Sequence, residues 1–360
     1  MRKRRGGTLK SGLRAAFAAW LPLLASGEST LGQSPERREV DVFWELLWEL
    51  PPDLDSPIQV PGLLAADGTG GVVTFDYGDR ALKSITSAGV DWVFGRSGQG
   101  PREFLRPTGI SLVGKEVWVL DPDNQRLTKV STKGQDAVAI RLTEVTRAIR
   151  LTDGSGIGLV QGPGPLLKVF DEEGKVTGHA TPDGFPTRTG PMVREGLITG
   201  GERSPYFLVA FLHAGQLVHG TATANGIETN LVPSVEPSPF PELVTWKNAR
   251  GYTLIRVDPA APESARWVDH DARFFYVAYE GMTHTDERLV DLYRTEDASY
   301  WGSFLLPETV AFGAIVAEGL MAGLIFEPIP HIKVWRFDFG EGTVSPGQAK
   351  VTQSSNPPSI

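Results

Sequence analysis

His179, His213, His219, His270, His284 and His331 are the side chains best suited to metal or proton chemistry near neutral pH. None has the i, i+4 histidine partner of a helical zinc site or the carboxylate spacing of a zinc hydrolase. His213 and His219 would share a face of one continuous strand, but Ala214-Gly215 puts a turn between them. His270, between Asp269 and Asp271, reads as a turn histidine flanked by two solvated acids rather than as a ligand or base. Asp121-Pro122-Asp123-Asn124 opens like a calcium loop. Arg126, however, stands where an EF-hand requires glycine, and the closing bidentate glutamate is missing, so this segment also reads as a turn. Gly154-Ser155-Gly156-Ile157-Gly158 and Gly162-Pro163-Gly164-Pro165 lack the Lys-Ser/Thr pair and the following helix of a phosphate loop. Ser97, in Gly95-Arg96-Ser97-Gly98-Gln99, misses the nucleophile elbow by one residue and lies between strands.

No catalytic residue, metal ligand or cofactor site is assigned on these grounds. The candidate binding residues are polar side chains of the turns: Asp76, Asp79, Arg96, Arg102, Asp121, Asp123, Asn124 and Arg126. Such side chains often stabilise the turn itself. Trp92, Trp118, Trp246, Trp267, Trp301 and Trp335 fall at or near strand positions, where packing between sheets is the simpler reading and a stacking platform for sugars or peptides the sharper one.

The elements that must position these residues are strands. The chain has 360 residues, 41% hydrophobic and 22% charged, with 41 Gly, 27 Pro and no Cys. That composition is globular, and it excludes disulfides, zinc-thiolate and iron–sulfur sites, a cysteine nucleophile and thiol lipidation. A formal charge of −8 argues against nucleic acid as a partner, because phosphate backbones are bound by basic clusters. From residue 57 onward, short segments rich in Val, Ile, Leu and aromatics are punctuated about every ten residues by Gly, Asp, Asn or Pro.

These segments repeat. Phe75-Asp76-Tyr77-Gly78-Asp79-Arg80-Ala81-Leu82 and on to Gly89 lies without a gap over Leu120-Asp121-Pro122-Asp123-Asn124-Gln125-Arg126-Leu127 and on to Gly134, 45 residues later. A third copy, Leu166 to Gly174, closes 40 residues after Gly134. A strand-rich period of 40 to 45 residues fits one blade of four antiparallel strands, and blades bury their faces only by packing around an axis. Gly196–Asn230, Arg266–Pro307 and Val310–Phe339 supply three further blades. The expected fold is therefore all-β, a six-bladed β-propeller of four-stranded antiparallel blades over residues 57–342. A proline-rich insertion at about 233–262 belongs on one rim, and residues 343–360 read as a flexible tail. Asp286–Glu296 has an alternative reading as a short helix. Residues 28–56 include Phe43, Trp44, Leu47 and Trp48, too apolar to leave in water, and an N-terminal strand that closes the ring would cover them.

Residues 1–27 carry Arg2, Lys3, Arg4, Arg5, Lys10 and Arg14, then the apolar run Ala15–Leu24 and the small residues Ala25, Ser26 and Gly27, the layout of a secretory signal peptide. Ten apolar residues span about 15 Å as a helix, half a bilayer core, so stable membrane insertion after cleavage is not expected. Removal of this segment takes away six basic residues and no acidic one, leaving 29 Lys and Arg against 43 Asp and Glu, a charge of −14. The expected location is extracytoplasmic, periplasmic or secreted.

Gly95-Arg96-Ser97-Gly98-Gln99-Gly100-Pro101-Arg102-Glu103-Phe104-Leu105-Arg106-Pro107, followed by Val117-Trp118-Val119-Leu120-Asp121-Pro122-Asp123-Asn124-Gln125-Arg126-Leu127, resembles the NHL-type repeat and the related TolB-like bacterial six-bladed propellers. That family pattern is a glycine-rich turn, Gly-Pro-x-Glu-Phe, a proline opening the next blade, and a strand ending in Asp before a turn with Asn and Arg. Later blades lack Gly-Pro-x-Glu-Phe, so the resemblance implies the fold and not a particular activity. Read physically, the glycines permit the crossing between blades, Phe104 plugs the seam, and Glu103 caps backbone donors or pairs with Arg96 or Arg126.

Two functions follow as expectations. The first is a non-enzymatic binding module for a protein, peptide or glycan, contacted by blade loops from several directions. The second is a metal-dependent hydrolase or lyase whose carboxylates and amides converge from different blades on the axis.

Overall fold

A computed structural model describes residues 37–50, 58–66, 70–151, 153–186, 190–202, 204–223, 226–279 and 287–340. The signal-peptide reading at 1–27 and the tail at 343–360 lie outside the described residues, as does His284. Strand β1 (Val42–Leu50) is followed by blade 1, made of β2 (Pro61–Ala66), β3 (Val72–Asp76), β4 (Ala81–Thr86) and β5 (Gly89–Phe94). Blade 2 is β6 (Gly109–Val113), β7 (Glu116–Asp121), β8 (Arg126–Ser131) and β9 (Ala137–Arg141). Blade 3 is β10 (Val145–Arg150), β11 (Gly156–Val160), β12 (Leu167–Phe170) and β13 (Val176–Ala180). Blade 4 is β14 (Gly196–Gly200), β15 (Tyr206–Phe211), β16 (Gln216–Thr223) and β17 (Gly226–Pro233). A separate hairpin, β18 (Leu243–Lys247) with β19 (Thr253–Val257), precedes blade 5, which is β20 (Trp267–His270), β21 (Phe274–Ala278), β22 (Leu289–Arg294) and β23 (Tyr300–Leu305). Blade 6 is β24 (Phe312–Ala317), β25 (Leu320–Ile325) and β26 (His331–Phe339), with β1 as its fourth strand.

Within each blade neighbouring strands are antiparallel. β1 pairs with β26 from Val42↔Phe339 to Leu50↔Ile332, so blade 6 is built from both ends of the described chain. The two second strands of the 45-residue repeat, β3 and β7, carry Val72 and Phe75, and Val117 and Leu120, all buried, at matching places. Leu289, Leu292 and Tyr293 lie in β22, a strand rather than the alternative short helix. Among the described residues the only helical turns are the short 3-10 segments Pro122–Asn124 and Pro191–Arg194.

The core consists of seams between blades. Phe75, Leu82, Phe94, Phe104, Val117 and Val119 join blades 1 and 2, and Trp118, Leu127, Val145 and Phe170 join blades 2 and 3. Ile157, Leu159, Phe207 and Phe211 join blades 3 and 4, and Leu208, Leu217, Phe275 and Tyr293 join blades 4 and 5. Tyr276, Leu292, Ile315 and Trp335 join blades 5 and 6. Val72, Ile85, Val316, Leu324 and Val334 join blade 6 back to blade 1. That last seam closes the ring, since every blade has its two apolar faces covered by neighbours.

The antiparallel order sorts the connections. The links between the second and third strands of a blade, and the crossings from one blade to the next, share one rim, here called the upper rim; the remaining links lie on the lower rim. The crossings bring the longest irregular segments and the β18–β19 hairpin to the upper rim.

Candidate functional site

Two regions of the molecule concentrate polar chemistry: the upper-rim turns and the axis. The turn residues expected to meet a ligand have intramolecular partners. Asp76 and Asp121 end β3 and β7 and are fully buried. Asp76 accepts the main-chain N–H groups of Gln59 at 2.7 Å, Val60 at 2.9 Å and Gly78 at 2.9 Å, and the Lys83 ammonium at 2.8 Å. Burial alone would raise its pKa, but the Lys83 ammonium and the three N–H donors outweigh burial and hold it below the ordinary aspartate value. Asp121 repeats the device one blade on, accepting from Leu105 N–H at 2.8 Å, Arg106 N–H at 3.1 Å and Asn124 Nδ2 at 2.8 Å. Each buried carboxylate thus fixes the crossing that opens its own blade.

The other candidates surround these locks. Asp79 pairs with Lys83. Asn124 also donates to the Gly98 carbonyl at 3.1 Å, and Arg126 donates to the carbonyls of Gln99 and Glu103. Glu103 accepts the Gly100 N–H and pairs with Arg96, both at 2.8 Å. Gly98, at φ +143°, leaves the space that the Glu103 carboxylate fills, so a side chain there would collide with it. Phe104 is fully buried against Phe75 and Phe94. Arg102 lies over the outer face of Phe94, 4.7 Å from the ring centroid, and Asp123 pairs with the exposed Arg106. Arg96 and Arg102, with Val93 and Pro101, border an open depression of about 520 Å³, so these two candidates share one surface.

The axis is a narrow channel of about 140 Å³ bordered by the first strand of all six blades. Each of these strands is hydrogen-bonded on one side only, so its other backbone edge faces the channel. Arg147 of β10, Thr199 of β14, and Asp269 and His270 of β20 add polar side chains, and Glu202 lines the cavity just beyond β14. The His270 Nδ1 is 3.0 Å from the Thr199 hydroxyl, and its Nε2 is buried with no hydrogen-bond partner. Asp269 accepts from His270 N–H at 2.8 Å and Ile315 N–H at 2.6 Å.

The expectation of a turn histidine between solvated acids does not hold. His270 ends a strand and is buried, and Asp271 is buried too, accepting from the Arg273 and Phe274 N–H groups and the Tyr276 hydroxyl. Burial, reinforced by Asp271, pushes the Tyr276 phenol well above its usual range. Sequence reasoning also passed over Arg147, whose only signal is a base inside the short strand Val145–Arg150. Among the described residues no group of three His, Cys, Asp or Glu side chains is placed to hold a metal ion.

The tryptophans divide in the same way. Trp118, Trp267 and Trp335 are buried in seams, as packing predicts, but Trp246 stands 44% exposed on the β18–β19 hairpin.

No protein-family model matches the chain, and no curated protein matches it in sequence. Among solved structures it is similar to a Bacteroides fragilis NCTC 9343 protein thought to be exported, with 10% identity and a TM-score of 0.53 over 83% of this chain and 96% of that one. It is also similar to virginiamycin B lyase from Staphylococcus aureus, with 10% identity and a TM-score of 0.48 over 82% and 99% of the two chains. The PQQ-bound aldose sugar dehydrogenase of Streptomyces coelicolor gives 10% identity and 0.48 over 84% and 100%. At such identities the likeness is one of fold. The chain is a six-bladed β-propeller, and the fold alone does not choose between binding and catalysis.

Proposed function

We propose that this chain is an exported, NHL-like propeller acting as a non-enzymatic binding module for a protein, peptide or glycan. The observation that carries the reading is the β18–β19 hairpin on the upper rim. Trp246 and Leu254, 44% and 38% exposed, pair across one face of the hairpin, Ile255, 55% exposed, lies on the other face, and Tyr252, 65% exposed, stands just before β19; the two strands have free outer edges. An isolated hairpin of two strands is marginal in water, and exposed aromatics beside open strand edges suit a partner surface. Residues 243–257 also carry Lys247, Arg250 and Arg256 and no acid, in a chain with an acidic surplus. Arg256 lies over the Trp246 ring at 5.5 Å, which holds the indole on one face. The extracytoplasmic location is carried by residues 1–27, and no helix among the described residues is long and apolar enough to cross a membrane.

The test is capture from an extracytoplasmic fraction by the full chain and by a Trp246→Ser/Ile255→Ser variant, with a glycan array run in parallel. Capture or array binding that the variant loses while keeping its circular dichroism supports the module. Equal retention by both proteins, or no retention by either, overturns it.

A further inference from the structure

Independently of the hairpin, we propose that the axial channel is a binding site for a small oxyanion, an organic carboxylate or a phosphate, held by the Arg147 guanidinium. Arg147 sits among the inner-strand edges that border the channel. A guanidinium has five N–H donors, and among the described residues this one donates only to the main-chain carbonyl of Thr146, at 2.9 Å. No carboxylate among the described residues comes within ion-pair distance of it, unlike Arg37, Arg106, Arg150 and Arg336, each of which has an acidic partner. A half-buried cation with no counter-charge in ion-pair distance favours an anion that can enter its channel.

The groups that act on it electrostatically are Glu195, Tyr77 and Arg106. Arg106 is already committed to Asp123, and Glu195 only partly offsets the burial that pushes the Arg147 pKa down. The two acids of the channel lining do not fill the role: the Asp269 carboxylate accepts two main-chain N–H groups, and Glu202 lies beyond the far end of β14. Elsewhere in the same cavity the buried His270 Nε2 lacks a partner, and in the tautomer that carries its proton it is a further donor. A volume of about 140 Å³ admits acetate or inorganic phosphate with a few waters and excludes a large ligand.

Isothermal titration calorimetry on the full chain with sodium acetate and with inorganic phosphate, at constant ionic strength with chloride as control, tests the site. Saturable binding of either probe is expected, weakened about tenfold or more in Arg147→Gln and less in Arg147→Lys, which keeps the charge but loses the fork. Binding of acetate alone identifies the ligand as a carboxylate, and binding of phosphate alone as a phosphoryl group. If neither probe gives a saturable isotherm above the chloride control with the wild-type chain, or if folded Arg147→Gln binds as the wild type does, the proposal is overturned. A failure of hairpin capture leaves these isotherms unaffected.

Discussion

Asp76 in blade 1 and Asp291 in blade 5 are both fully buried carboxylates, yet they are neutralised by opposite strategies. Asp76 draws its partners from nearby chain, with Lys83 seven residues on and the N–H groups of Gln59, Val60 and Gly78 within 17 residues. Asp291 depends on Arg37, 254 residues away, which donates from Nε at 3.2 Å and from Nη2 at 3.1 Å, and on the Ser303 hydroxyl at 2.5 Å. The same guanidinium also pairs with Glu236 and lies over the Tyr279 ring at 4.7 Å. Burial would lower the Arg37 pKa, but the carboxylates of Asp291 and Glu236 outweigh it and hold the guanidinium above its usual range. Burial pushes Asp291 upward, and Glu236 adds to that push against the pull of Arg37 and Ser303. Beside this cluster, Val40 donates to the Ser303 carbonyl at 2.8 Å and Ser303 donates to the Arg38 carbonyl at 2.7 Å, so residues 37–40 bind the outer strand of blade 5 before β1 joins blade 6. One carboxylate fixes a local crossing. The other ties the start of the described chain to a blade formed near its end.

The contrast can be broken most sharply at Arg37. Arg37→Met leaves Asp291 and Glu236 buried beside each other without a cation, and urea denaturation is expected to show a loss of about 3–5 kcal/mol. A loss under about 1 kcal/mol would show that the cluster does not hold the closure. Asp76→Asn keeps the shape but removes the charge that Lys83 and three N–H groups serve, with an expected loss of about 2 kcal/mol at neutral pH by the same measurement.

The pH dependence of the two sites should have opposite signs. The folded-state pKa of Asp76 is depressed, so its contribution is present above the unfolded aspartate pKa and is lost as pH falls through the folded value; the gap between wild type and Asp76→Asn closes on acidification. The folded-state pKa of Asp291 is raised, so the folded chain takes up the proton first, and the stability of the wild type relative to Asp291→Asn rises as pH falls from the folded value towards the unfolded one. Denaturation midpoints measured across the acid range would refute this if the two relative stabilities moved in the same direction. The smallest effect is expected at the solvated Arg106–Asp123 pair, where Asp123→Ala should change stability by no more than about 0.5 kcal/mol.

Some of the site was legible as pattern. The 45-residue spacing of Asp76 and Asp121 marks equivalent positions, and the structure gives them equivalent bonds to the crossings that open blades 1 and 2. Phe104 and Glu103 fill the roles that Gly-Pro-x-Glu-Phe suggests, because their partners Phe94, Arg96 and Gly100 lie within ten residues. Trp246 was less legible, since a tryptophan in a short apolar run looks alike in a seam and on a protruding hairpin. Nothing in the sequence links Arg147 with His270. They belong to different blades, and only the arrangement of six first strands around one axis makes them walls of a single cavity.

By itself the sequence determined the local elements: strand alternation, turn chemistry and a blade-length period depend on neighbours within a few tens of residues, and those are visible along the chain. The tertiary structure alone decided which charges meet across the ring, such as Arg37 with Asp291, and which polar groups face the axis. Such encounters are set by closure, where the free energy of burying both faces of every blade brings together residues whose separation in sequence bears no relation to their distance in space.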